Sequence, residues 1–158
     1  MRHSLWQSFE FAGRGLRQAF QTQRTLRIHV ALAVAITVAL VWLDLPVADA
    51  AAVVLAIAGV LAAELLNTAV EVLVDLHVGD QYHVLAGRAK DLSAAGVLVA
   101  AVGAAAVGLL VLGRPAAAVL GGHVGPQSLG RAGALLLVLA LVVMVLRGEP
   151  KPGAEAGR

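Results

Sequence analysis

The chain has 158 residues, 59% of them hydrophobic and only 14% charged, with a formal net charge of +2. Soluble domains carry roughly a quarter charged residues, so this is membrane composition, and the length allows one compact unit of a few spans. The absence of cysteine excludes disulfides, thiolate nucleophiles and thiolate metal sites. The basic residues are scattered with few aromatics beside them, which argues against a nucleic-acid partner.

Residues 4–21, SLWQSFEFAGRGLRQAFQ, read as an amphipathic helix. At 100° per residue from Leu5, the side chains of Trp6, Phe9, Ala12, Leu16, Ala19 and Phe20 fall within one arc of about 140°. Glu10, Arg14, Arg17, Gln18 and Gln21 share the opposite face. Such a helix lies in the membrane interface with its basic face toward the headgroups. Phe11 breaks the pattern by pointing to the polar side. The first apolar run begins only near Val30, after a mixed stretch, which is not the pattern of a cleavable signal peptide.

The first span is predicted over 28–43, a little short for the bilayer core and helped by the interfacial Trp42. DLPVAD (44–49) reads as a tight turn, with Pro46 suited to a helix's first turn. A second span runs over 50–75, then a polar loop over 76–91 that becomes helical toward Lys90. A third span covers 92–112. The Gly/Pro-rich segment 113–131 reads as a loop, the apolar stretch 132–146 as a fourth span, and 147–158 as a disordered tail. The fold class is thus an all-α membrane protein: an N-terminal interfacial amphipathic helix, three core transmembrane helices and an extra C-terminal span. With the N-terminus in the cytoplasm, ten of the twelve Lys and Arg residues lie inside and only Arg114 and Arg131 outside, as the positive-inside rule requires. The polar segments 1–27 and 76–91 then share the side on which ATP is found.

AELLNTAVEVLVD (63–75) carries the chemistry. On a helix, Glu64, Asn67, Thr68, Glu71 and Asp75 lie on one face about 100° wide. The bland reading is polar glue between membrane helices. Stacked carboxylates, however, repel unless a cation or protons intervene, and intramembrane acids usually mark ion pathways, proton pathways or catalytic sites. Hard oxygen donors from Glu and Asn side chains, with no Cys and no paired His, suit Mg²⁺. GRAKD (87–91) adds Lys90, a point charge able to hold a phosphate, with Asp91 beside it. A base for a hydroxyl, a carboxylate for Mg²⁺ and a phosphate-gripping lysine are the parts of phosphoryl transfer. No soluble-kinase or phosphate-loop signature is present, and GRG (13–15) is too short to be one. A phosphotransferase here must be built from membrane helices, and its acceptor hydroxyl would belong to a lipid.

These residues resemble a known family. AELLNTAVEVLVD…YHVLAGRAKDLSAAGVL is similar to the signature of the small bacterial integral-membrane lipid kinases, the diacylglycerol and undecaprenol kinases. The likeness extends back through RTLRIH (24–29) and AGRGLRQAF, covering about residues 9–112, which makes 1–112 the expected kinase core. The resemblance implies that Glu64 is the general base toward the lipid hydroxyl, with Asn67 and Glu71 beside it and Glu71 a ligand of metal and nucleotide. It implies that Lys90 and Asp91 bind the nucleotide, Lys90 on phosphate and Asp91 on the adenosine side, and that Tyr82 and His83 help hold ATP. It further implies Mg²⁺ as cofactor, ATP as co-substrate, and a homotrimer with active sites between subunits. Phe11 would then stack on adenine; otherwise it is an imperfection of the amphipathic face.

The chain also departs from the family pattern. Gln23 stands where a second metal-binding glutamate is usual, so one Mg²⁺ site should be weaker or incomplete. The loop Asp75–His83 is one residue longer than usual, and Phe11 replaces a common Tyr. Asp75 reads as a cap or terminator of the second span, and His77 as a solvated loop residue. RTLRIH is similar to the undecaprenol branch and AGRAKD to the diacylglycerol branch, so the acceptor stays open between these alcohols, with diacylglycerol placed first. Two other readings compete: an ion-coupled transporter subunit, which would need acids in several spans, and an inactive family member kept as a scaffold, which Gln23 would motivate.

Overall fold

The computed structural model describes residues 4–43, 45–79, 81 and 83–121, with 114–120 as backbone alone. The described residues form four helices: α1 (Leu5–Thr22), α2 (Arg24–Leu43), α3 (Val47–Val78) and α4 (Val84–Leu120). The last three are long and apolar enough to cross a membrane, over Arg24–Leu43, Val47–Val78 and Val84–Gly113. The protein is therefore an all-α, multi-pass membrane protein with one amphipathic helix ahead of three spans. The fourth span expected at 132–146 and the tail lie outside the described residues.

Ser4 starts α1 with a capping box: its hydroxyl accepts from the Gln7 N–H, and the Gln7 side chain accepts from the Ser4 N–H. The apolar stripe of α1 faces outward, with Leu5, Trp6, Phe9 and Leu16 exposed and Ala19 buried. A helix that leaves four large apolar side chains uncovered suits the lipid interface better than water. One residue, Gln23, separates α1 from α2; its ψ of 113° is extended, and its N–H still closes on the Ala19 carbonyl. The helix direction therefore breaks at a single backbone position.

Several boundaries differ from the sequence reading. The first span begins at Arg24 rather than 28, because RTLR contains no helix breaker and the Arg27 guanidinium turns back to the Gln21 carbonyl. The second begins just after Pro46, which caps it, and runs to Val78 rather than 75. Asp75 does not end it. Gly79 does, at φ 58° and ψ −136°, a conformation open to glycine and strained for other residues. The connection to α4 is correspondingly shorter than the loop expected over 76–91. Helix α4 also continues through Pro115 to Leu120, so part of 113–131 is helix rather than loop. In hydrocarbon no water satisfies a freed carbonyl, so a helical backbone persists through a proline more readily than in solution.

At 1.5 Å per residue, α2 reaches about 30 Å and α3 about 48 Å. The membrane core is about 30 Å thick, so α3 projects beyond it. Helix α3 is central, packing most extensively on α4, then on α2, with α1 touching both α2 and α3. The buried residues Leu26, Ala31 and Leu40 of α2 and Val53 and Val60 of α3 form a thin seam. Its one charged member is Glu64. Much of α4, including Leu98, Val99, Leu109 and Leu110, faces outward.

Candidate functional site

Three-and-four spacing along α3 brings Glu64, Asn67 and Glu71 onto the side facing the α1–α2 junction and the first turns of α4. Glu64 is the deepest, only 2% exposed. Burying a carboxylate is costly unless partners meet it, and α2 supplies two. Thr25 donates its hydroxyl to Oε2 at 3.2 Å, and His29 Nδ1 lies 2.9 Å from Oε1. Thr25 and His29, four apart, share one face of α2. The His29 contact is close but not aligned as a hydrogen bond.

Two turns onward, Glu71 takes two amide donors. Gln23 Nε2 donates to Oε2 at 3.1 Å and Asn67 Nδ2 to Oε1 at 2.9 Å. Hydrogen bonds to a charged group are worth about 1.5–3 kcal/mol each, enough to fix this carboxylate. Ser93 of α4 donates to Asn67 Oδ1 at 2.7 Å and lies 2.9 Å from the Lys90 carbonyl. Nearer the end of α3, Lys90 Nζ pairs with Asp75 Oδ1, both partly exposed. Thr68 turns away, its hydroxyl bonded to the Glu64 carbonyl of its own helix.

Of the site residues read from the sequence, the structure links Gln23, Asn67 and Glu71, with the Lys90 carbonyl joined through Ser93, while Glu64 makes a separate group with Thr25 and His29 two turns away on α3. Asp91 and His83 sit exposed on α4 and just before it. Phe11 is half-exposed on α1, with the Arg14 guanidinium 4.9 Å from its ring centre. Tyr82 lies outside the described residues. Thr25 and Ser93 are members that sequence reasoning passed over, and His29 one that it left between a headgroup contact and a substrate role at the helix entrance. The signal for Thr25 and His29 was their four-residue spacing, opposite the acids; for Ser93 it was a lone hydroxyl one turn beyond Lys90.

Among the described residues, no three His, Cys, Asp or Glu side chains gather to hold a metal. The donor chemistry nevertheless suits Mg²⁺: Glu71 offers a carboxylate, and Asn67 and Gln23 carry amide oxygens, hard donors of the kind this cation takes. Both amides present their nitrogens to Glu71 here, so holding the ion would require them to turn.

Below Glu64, a cavity of about 250 Å³ opens between α2, α3 and α4. His29 is its single polar lining residue; Ile36, Ile57, Val60, Leu61 and Ala104 are typical of the rest. Glu64 does not line this groove itself, but it touches His29, which does, and lies one helical turn beyond Val60.

This arrangement defines an integral-membrane enzyme that brings a charged reactant to an apolar one. The pattern of the family described as prokaryotic diacylglycerol kinase matches residues 10–112. The chain is 44% identical over 115 residues to a diacylglycerol kinase of Synechocystis sp., covering 68% of this chain and 66% of that one. It is 39% identical over 106 residues to an undecaprenol kinase of Bacillus subtilis, covering 67% and 85%. It is 36% identical over 91 residues to a diacylglycerol kinase of Escherichia coli, covering 57% and 73%. The chain belongs to the prokaryotic diacylglycerol kinase family, and its class is that of a membrane lipid kinase.

Proposed function

We propose that this protein transfers the γ-phosphate of ATP to a membrane lipid alcohol, diacylglycerol first, giving phosphatidic acid. The observation that carries this is the placement of Glu64. A carboxylate 2% exposed that touches His29, the polar residue lining an apolar groove, can meet a hydroxyl delivered from the bilayer where water is scarce. Glu64 takes the hydroxyl proton, the lipid oxygen bonds to the γ-phosphorus, and the bond to the β–γ bridging oxygen breaks, leaving ADP. Lys90 holds phosphate. Its pair with Asp75 is solvent-exposed, so it is worth about 0–1 kcal/mol and yields readily to a phosphate oxygen. Glu71, with Gln23 and Asn67, would hold Mg²⁺, which supplies charge neutralisation on the transferring phosphate. Asp91, His83, Tyr82 and Phe11 complete the nucleotide site in this reading, Asp91 toward the adenosine.

The positive-inside distribution of Lys and Arg supports a cytoplasmic N-terminus and active site in a bacterial cell membrane. The outward apolar face of α4 supports assembly as a homotrimer, with sites completed between subunits. Undecaprenol is the alternative acceptor, favoured by the Bacillus subtilis relative and by a groove whose lining holds a single polar residue. The acid stripe is confined to α3 and is tied to Lys90, which speaks against an ion-coupled transporter. The presence of Glu64, Asn67, Glu71, Lys90 and Asp91 together speaks against an inactive scaffold.

The test is transfer of labelled γ-phosphate from ATP and Mg²⁺ to mixed micelles holding both diacylglycerol and undecaprenol, with Glu64→Gln alongside. A labelled lipid that disappears in the variant supports the kinase, and its mobility names the acceptor. No labelled lipid at any Mg²⁺ concentration would sink it.

A further inference from the structure

We infer that His29 is the positioning residue of the Glu64 base. Its imidazole engages Oε1 and leaves Oε2 to take the substrate proton. This rests on the proposed role of Glu64.

The argument begins with the two oxygens. Glu64 is sealed from solvent, so what each oxygen can do depends on its protein partners. Oε2 accepts one hydrogen bond, from Thr25 at 3.2 Å, which leaves it a lone pair. Oε1 faces His29 Nδ1 at 2.9 Å. A ring nitrogen and a carboxylate oxygen at that distance attract with a proton between them and repel without one. The Nδ1 atom is buried and has no aligned partner. The imidazole χ2 torsion is soft, whereas the 2.9 Å approach is set by the packing of α2 on α3. A modest turn of the ring closes the bond with Glu64.

The surroundings make this coupling selective. From α3, Glu64 is the charged group that meets the ring. From α4, the groove shared with His29 is lined by Ala101, Ala104, Ala105 and Gly108, none of which titrates. On α2 itself, Thr25 is neutral and the Arg27 guanidinium is held by the Gln21 carbonyl. A ring donating from Nδ1 fixes the carboxylate. The same ring lines the groove, so it stands between the apolar space and Glu64.

The experiment measures kcat and the ATP KM in lipid micelles for the wild type, His29→Gln and His29→Leu, with Glu64→Gln as reference. Glutamine keeps a donor for Oε1; leucine supplies none. His29→Gln should keep kcat within about tenfold of wild type. His29→Leu should lose about a hundredfold in kcat, the scale of a misplaced reacting group, with the ATP KM unchanged. A loss in His29→Gln as large as in His29→Leu would overturn the inference, as would wild-type kcat in His29→Leu. If these variants do not assemble, His29→Asn, whose amide reaches the place of Nδ1, is read the same way. Loss of the ATP KM in all three would also overturn it, since His29 would then hold the fold rather than the base. A wild-type rate in Glu64→Gln would instead remove the base reading itself.

Discussion

Gln23 and Glu71, 48 positions apart in the chain, meet through a 3.1 Å hydrogen bond from the amide Nε2 to the carboxylate Oε2. The bond sets a neutral group beside Glu71, which in the proposed reading would be a Mg²⁺ ligand. Gln23→Glu should therefore lower the Mg²⁺ concentration at half-maximal activity by about tenfold, because ligand charge tunes affinity for hard cations. Without metal, the same variant sets two carboxylates together and should lower the melting temperature, a loss that added Mg²⁺ restores. Unchanged Mg²⁺ dependence would remove Gln23 from the site.

Replacing Glu64 tests the base. Glu64→Gln keeps an acceptor for Thr25 and nearly the same volume, so the fold should survive. Phosphoryl transfer should fall by about 10²–10⁴, the usual share of a general base, with little change in the ATP KM. A steady-state assay at saturating lipid separates the two.

Asp75 and Lys90 make a pair that binding would have to break. Lys90→Ala should raise the ATP KM at least tenfold. Asp75→Asn frees the ammonium group and should leave that KM equal or lower. The melting temperature of Asp75→Asn should hardly move, because an exposed pair contributes about 1 kcal/mol at most.

Ser93 reaches the site through Asn67. Ser93→Ala removes a hydrogen bond worth about 1 kcal/mol and frees the Asn67 amide to rotate. The expected signature is a higher Mg²⁺ requirement with an unaltered lipid KM, readable from titrations at fixed ATP.

Gly79→Ala should cost about 1–3 kcal/mol. A methyl group there meets no neighbour, so the cost is backbone strain alone. Thermal unfolding in detergent would show it while kcat changes little.

Much of this architecture was legible because membrane helices announce themselves. The apolar runs located three spans, and the amphipathic period of α1 located the surface helix. The acid stripe identified Glu64, Asn67 and Glu71 because their spacing is a property of one helix. What stayed hidden depends on how helices meet. Thr25, His29 and Ser93 face the stripe only once α2 and α4 dock at particular rotations, and no period within either helix reveals that. Helix boundaries failed at Arg24 and Pro115 for a related reason: polar and proline residues signal breaks in water more faithfully than they do near lipid.

The extended backbone at Gln23 joins two roles that are usually kept apart. The residue whose ψ angle lets the surface helix leave the first span is also the one whose side chain holds Glu71. The joint and the grip are one residue, so a tilt of α1 acts as a lever on the metal-side carboxylate. Activity in bilayers of graded headgroup area should accordingly vary with how the surface helix lies. The membrane's lateral pressure would then set the geometry of the reaction as directly as any side chain does.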